Sequence, residues 1–183
     1  MQSHKYLPSY TIEDYNRWEG DWELINGIPY AMSPSPVRRH QKLAMLLTLQ
    51  IGNSIDNQKE KCGDCEAFYE FDWVLSNNTV VRPDIIITCE KGGDFITKPP
   101  ILVVEILSPS TGLKDRHLKF ELYQEQGVKY YIVADPNSKT YQVYVLNEGR
   151  YEEQKNPTSF IIHDKCAIEL NLDEALAKLP DLE

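Results

Sequence analysis

Two short runs of nearly continuous apolar residues stand out along the chain: Arg82-Pro83-Asp84-Ile-Ile-Ile87 and Ile101-Leu-Val-Val-Glu105-Ile-Leu107. Runs rich in Ile and Val without polar alternation predict strands covered on both faces, in the middle of a sheet. A third run, Lys129-Tyr-Tyr-Ile-Val-Ala134, reads the same way. The first two each carry one carboxylate. An ionised carboxylate in such a run is costly unless a cation or hydrogen-bond donor meets it.

Helical spacing marks two other segments. Ser35 as N-cap and Pro36 at the first helical position open a helix that runs to about Ile51, with Gly52 and Asn53 as stop signals. Its apolar stripe is Leu43, Ala44, Leu47 and Ile51, and one turn back it reaches His40. A second helix spans about Lys114 to Gln126 and stops at Gly127. There Leu118, Leu122 and Tyr123 share one side with Lys119. A lysine on an inward stripe raises the question of which anion it meets.

The remaining pattern is predominantly β. Thr11-Ile-Glu-Asp14 resembles a capping box opening a helix to about Trp18. Residues 20–32 form a hairpin about Asn26-Gly27, the preferred pair for a tight turn, with Glu23 in its first arm. A polar loop from Asn53 to about Asp64 leads to one strand from Glu66 to Leu75, then a turn, then the Asp84 strand from about Val80 to Thr88. A hairpin about Asn147-Glu-Gly149, late strands at 160–162 and 166–172, and a short helix at 173–179 complete the chain. From the first long helix the order is helix, three strands, helix, strand. That order gives a mixed α+β sheet with a helix on each face.

Composition narrows the class. At 183 residues the chain reads as a single domain, residues 1–183, with its core at about 36–136. No run reaches transmembrane length and the N-terminus lacks an apolar signal core, so the expected location is the cytoplasm, with no membrane partner. Cys62-Gly-Asp-Cys65 is a single CxxC with no second pair to complete a zinc site, and the four cysteines are expected to be reduced. A net charge of −9 argues against tight non-specific nucleic-acid binding. Local basic clusters at 38–42 and 114–119 still allow a basic cleft.

Asp84 and Glu105 on neighbouring strands suggest a shared hard cation, Mg2+ or Mn2+, which needs only a couple of carboxylates. The backbone carbonyl of Ile106 and the side chain of Glu23 are further candidate ligands, Glu23 alternatively a base. With Lys119, the metal would offset charge as water attacks a phosphodiester. Other readings stay open: a structural Glu105–Lys119 ion pair, an exposed Glu23, a satisfied half-buried His40 rather than a base, and Arg38 and Arg39 as a solvated helix start.

Six segments in one order carry a resemblance: Trp22-Glu23-Leu-Ile-Asn-Gly27; Ser33-Pro-Ser-Pro followed by His40; Val81-Arg-Pro-Asp84; Val104-Glu-Ile-Leu-Ser-Pro-Ser-Thr111; Asp115-Arg-His-Leu-Lys119-Phe-Glu-Leu-Tyr123; and Gly127-Val-Lys-Tyr-Tyr-Ile-Val-Ala-Asp135-Pro136. From about Thr11 to Leu176 the chain resembles the PD-(D/E)XK nuclease superfamily, and within it the Uma family of restriction-endonuclease-like proteins. The resemblance implies an αβββαβ core, here with an N-terminal hairpin and a C-terminal β extension. It also implies metal-dependent hydrolysis of DNA, with Asp84 and Glu105 binding Mg2+ or Mn2+, and a homodimer that cuts both strands. The lysine that the superfamily places two residues after the glutamate is Leu107 here. The family's helix lysine matches Lys119, and Glu23 and His40 are carried over beside it. The alternative is a non-catalytic nucleic-acid- or protein-binding module that keeps the fold.

Overall fold

The computed structural model describes residues 8–32, 37–108 and 115–181, without the side chains of residues 115 and 116. The Ser35 cap, the Pro36 start and most of the Ser108–Gly112 break lie outside the described residues.

The chain opens with α1 (Ile12–Tyr15), and Asp14 Oδ2 accepts from both the Thr11 amide (2.9 Å) and hydroxyl (3.0 Å). Strands β1 (Trp22–Ile25) and β2 (Ile28–Ala31) form the hairpin, with Asn26 and Gly27 both at positive φ as a tight primed turn requires.

Helix α2 (Arg38–Asp56) is longer than its stop signals suggest. Gly52 sits inside it, because Ile51 and Ile55 both extend the buried stripe. Burying Ile55 contributes more than the ~1 kcal/mol a mid-helix glycine costs. The polar stretch after it is therefore mostly helix, ending in α3 (Lys59–Cys62).

The two long strands expected next are each divided in two. β3 (Glu66–Tyr69) and β4 (Trp73–Ser76) are separated at Glu70, which has φ +47°. β5 (Thr79–Val81) and β6 (Ile85–Thr88) are separated by Arg82-Pro83-Asp84. Pro83 has no amide to give a ladder. The outer halves join the hairpin in a four-stranded sheet, β2-β1-β5-β4, and the inner halves belong to a six-stranded sheet. Asp84 thus stands where the chain passes from one sheet to the other.

The six-stranded sheet is completed by β7 (Leu102–Ile106), β8 (Tyr130–Asp135), β9 (Thr140–Asn147) and β10 (Arg150–Gln154), in the order β10-β9-β8-β7-β6-β3. Only β7 and β8 run parallel. Between them lie a π-helical turn (Asp115–Lys119) and α4 (Phe120–Gln126), closed by Gly127 in the left-handed conformation. A hairpin of β11 (Ser159–His163) and β12 (Cys166–Glu169) and helix α5 (Leu172–Ala177) follow. Taken as α2, β3, β6, β7, α4 and β8, the core is the expected αβββαβ arrangement, with β4 and β5 as an excursion from it.

Alternation along the central strands supplies two cores. Leu102, Val104 and Ile106 pack with α2, β12 and α5, whereas Val103 and Leu107 pack with Trp73, Tyr123 and Tyr131. Glu105 has the parity of the second face.

The cysteines are paired, contrary to the expectation of reduced thiols. Cys65 and Cys89 flank the β3–β6 ladder one step beyond Glu66–Thr88 and bond across it. Cys62 closes α3 against Cys166 at the start of β12. Sequence spacing did not show this, because both contacts arise only once the helix and strands are assembled. The Cys62–Cys166 bridge spans a sequence separation of 104. Replacing both residues with alanine is expected to lower unfolding free energy by about 2–5 kcal/mol in urea melts. Titration of unreduced, denatured protein with a thiol reagent should find none, and four thiols would contradict the pairing. Among the described residues, no helix is long and apolar enough to cross a membrane.

Candidate active site

The five side chains singled out from the sequence are all buried, in two linked groups. Extending the β6–β7 register by one residue from Ile85–Val104 sets Asp84 opposite Glu105. Asp84 lies before β6, where Pro83 has ended the ladder, so its carboxylate turns to other donors. Oδ2 accepts from the Ile106 amide at 2.6 Å, and Oδ1 meets His40 Nε2 at 3.2 Å. The buried stripe of α2 brings His40 there, as its spacing from Leu43 and Ala44 implies.

His40 is subject to opposed influences. Burial pushes its pKa down, while the hydrogen bond and charge of Asp84, the charge of Glu70 and the Ile106 carbonyl push it up, and the net result is above the ordinary histidine value. The imidazolium is therefore favoured by folding. That contribution is fully present below the unfolded-state pKa and is lost as pH rises through the raised folded value. In Asp84→Asn the largest upward influences are gone and burial remains, so an NMR titration of the His40 ring should show a lower midpoint than in wild type. An unchanged midpoint would contradict the pairing.

The second group centres on Lys119. Its Nζ lies 2.8 Å from Glu105 Oε1 and 2.8 Å from Glu23 Oε1. Lys119 is 2% exposed, Glu105 3% and Glu23 fully buried. Each element contributes for a local reason. The Arg82 amide, freed from the ladder beside Pro83, donates to Glu23 Oε1 at 3.0 Å and fixes the hairpin arm against the break. The Arg82 guanidinium also ties the same region together, donating to Asp72 and Asp21 at 2.6 Å each. Lys119 ends the π turn, a helical form frequent at functional sites.

Tyr123 was legible in the sequence only as an inward packing residue. Its hydroxyl donates to Glu105 Oε1 at 2.7 Å, and burial followed by the Glu105 charge holds its pKa well above the ordinary tyrosine value. The signal was present, since a tyrosine four residues after an inward lysine shares its side of the helix. Trp73 stacks on the Tyr123 ring, with centroids 5.8 Å apart, and limits its movement.

Among the described residues, no group of three or more His, Cys, Asp or Glu forms a metal cluster. Asp84, Glu105 and the Ile106 carbonyl are nonetheless hard oxygen donors gathered by the β6–β7 register, which fits a divalent cation needing only one or two carboxylates. Beside them, Lys119 meets two carboxylates, those of Glu105 and Glu23. This is an electrostatic centre, not an apolar core that tolerates one charge.

Comparison with known proteins agrees with this architecture. The profile of the Uma2 family, described as "Putative restriction endonuclease", matches residues 12–173. The chain belongs to the Uma2 family. A curated relative, "Uncharacterized protein slr1290" of Synechocystis sp. (strain ATCC 27184 / PCC 6803 / Kazusa), is 29% identical over 151 residues, covering 78% of this chain and 77% of that protein. A crystal structure from Anabaena variabilis ATCC 29413, described as "a putative nuclease belonging to DUF820", superimposes with a TM-score of 0.71 at 17% identity. It covers 92% of this chain and 98% of that one, and at this identity it shows the shared fold. Within the Uma2 match lie Glu23, His40, Asp84, Glu105 and Lys119.

Proposed function

We propose that this Uma2 protein is a metal-dependent endonuclease that hydrolyses DNA phosphodiester bonds. The observation carrying the proposal is Lys119, only 2% exposed and held 2.8 Å from Glu105 beside the Asp84 break. The family resemblance gives Lys119 the part of the strand lysine whose position Leu107 occupies here. Asp84, Glu105 and the Ile106 carbonyl would hold Mg2+ or Mn2+, with Glu23 a further candidate. Such an ion supplies Lewis acidity and lowers the pKa of bound water.

The chain's own groups do the rest. Lys119 offers a compact, preorganised cation for the charge that develops on the phosphoryl oxygens. Tyr123 and Lys119 hold Glu105 Oε1 in one orientation. His40 Nε2, 3.2 Å from Asp84 Oδ1, holds that carboxylate in place, and its raised pKa suits it to return a proton to a leaving oxygen. Glu23 brings a second carboxylate oxygen to within 2.8 Å of the lysine Nζ and helps hold it in place.

Titration with Mn2+ tests the ligand assignment. Wild type should bind, and Asp84→Ala should lose most of that affinity; equal affinity in both would remove Asp84 from the metal site. A net charge of −9 favours a second reading, a non-catalytic binding module retaining the fold. Absence of both metal binding and cleavage in wild type would select it.

A further inference from the structure

Opposite its buried stripe, α2 carries a second apolar stripe that faces outward. Met45 is 53% exposed and Leu49 58%, and Gly52 continues their line one turn further on. With Tyr69 of β3, itself 40% exposed, they line an open groove along the helix. A surface helix ordinarily keeps polar groups on the side turned away from its core. Methionine and tyrosine are among the residues enriched where proteins meet. β3 is the edge strand of the six-stranded sheet, so its free side is open to a second molecule. The four residues before Val37 extend at most about 14 Å, whereas Leu49 lies about 18 Å along the helix from Val37, beyond their reach.

Gly52 adds a second observation. A glycine inside a helix weakens it, and a Cβ built at this position meets nothing within 4 Å. No described neighbour within the chain therefore requires a glycine here. On an outward face it lets the backbone of another helix approach closely.

The charges of the stripe say which helix that is. Positions 38, 42, 45, 49, 52 and 56 follow one another in three- and four-residue steps and share one side of α2. The stripe is basic at its start, with Arg38 and Lys42, and acidic at its end, with Asp56. Arg38 is exposed, unlike Arg39 beside it, which is 7% exposed rather than solvated as expected. Arg38, Lys42 and Asp56 have no ion-pair partner among the described residues. Such a stripe is complementary to its own copy run antiparallel, because each basic end then meets the acidic end of its mate, twice by symmetry. Parallel packing would set like charges and like helix dipoles side by side. In a chain of net charge −9, a face this nearly balanced suits neither a nucleic acid nor a strongly charged protein.

We propose that the outer face of α2 is the interface of a twofold homodimer, in which α2 packs antiparallel on α2 of a second copy and crosses it near Leu49. The helix, 19 residues and about 28 Å long, is long enough to carry such a contact. The inference rests on this face and not on the nuclease reading, and mass rather than cleavage reads it.

Light scattering over a concentration series should show wild type approaching twice the chain mass of 21.2 kDa. Leu49→Arg should stay at the chain mass with an unchanged circular dichroism spectrum, because Leu49 lies outside the core. Lys42→Glu and Asp56→Lys should each weaken association about ten-fold, since each turns two attractions into repulsions. The double variant, or an equimolar mixture of the two single ones, should restore it. The chain mass at every concentration overturns the interface and leaves the groove to residues 1–7 or to another partner. A dimer that Leu49→Arg leaves intact overturns it as well. A dimer weakened by both single reversals and not restored by their combination overturns the antiparallel arrangement.

Discussion

Replacing Lys119 with methionine should lower the unfolding free energy by about 3–5 kcal/mol and abolish cleavage, the larger structural effect of any single change at the centre. The reason is what remains. Glu23 and Glu105 both direct Oε1 at the same Nζ, each at 2.8 Å, and neither is more than 3% exposed. Without the cation they become like charges in a poorly solvated space. For a domain of this length the change corresponds to a midpoint lower by roughly 6–20 °C.

The pH dependence separates this cause from a simple packing loss. Two facing carboxylates raise the pKa of the pair, so the folded variant binds a proton more tightly than the unfolded chain. Stabilisation by that proton is fully present below the ordinary glutamate value and is lost as pH rises through the raised one. The deficit of Lys119→Met should therefore shrink as pH is lowered from 8 toward 4.5. A deficit that does not change with pH would point to packing alone.

Glu105→Gln should have the opposite balance, a small structural effect and a large catalytic one. The amide keeps the shape of the side chain, and its carbonyl can still accept from Lys119 and from Tyr123, which now lie 2.8 and 2.7 Å from Oε1. Lys119 keeps Glu23 as its counter-charge. The formal charge opposite Asp84 is lost, and with it one of the proposed metal ligands. Cleavage should fall by at least roughly 100-fold, the scale of removing one aligned electrostatic group. Circular dichroism and the thermal midpoint should stay close to wild type. A variant that cleaves normally would exclude Glu105 from the reaction.

Much of this centre could be read from the chain because few residue types fit each position. Asp84 and Glu105 stood out as charges inside apolar runs, and both lie on central strands or at their start. Lys119 stood out through its inward phase. That phase survives although the preceding turn is π rather than α, since α4 begins immediately after it and carries Tyr123 to the same carboxylate. His40 followed from the α2 stripe.

What could not be read depended on partners distant in sequence. Residues 66–75 and 80–88 look like two unbroken strands because their side-chain patterns continue through the breaks. The division at Glu70 and Pro83 follows from each half pairing with a different sheet. The Glu70 amide, for example, donates to the Asp84 carbonyl at 3.0 Å, a bond that joins the two breaks. Gly52 looked like a helix stop because the burial of Ile55 against the rest of the core was not available to outweigh it. The disulfides and the burial of Arg39 were hidden for the same reason.

Nicking of supercoiled plasmid with Mn2+ or Mg2+ tests the central claim most directly, comparing wild type with Glu105→Gln and Lys119→Ala. The account predicts nicking by wild type that both variants lose and that a chelator abolishes. Equal nicking by all three proteins, or none by wild type together with no metal binding, would contradict it.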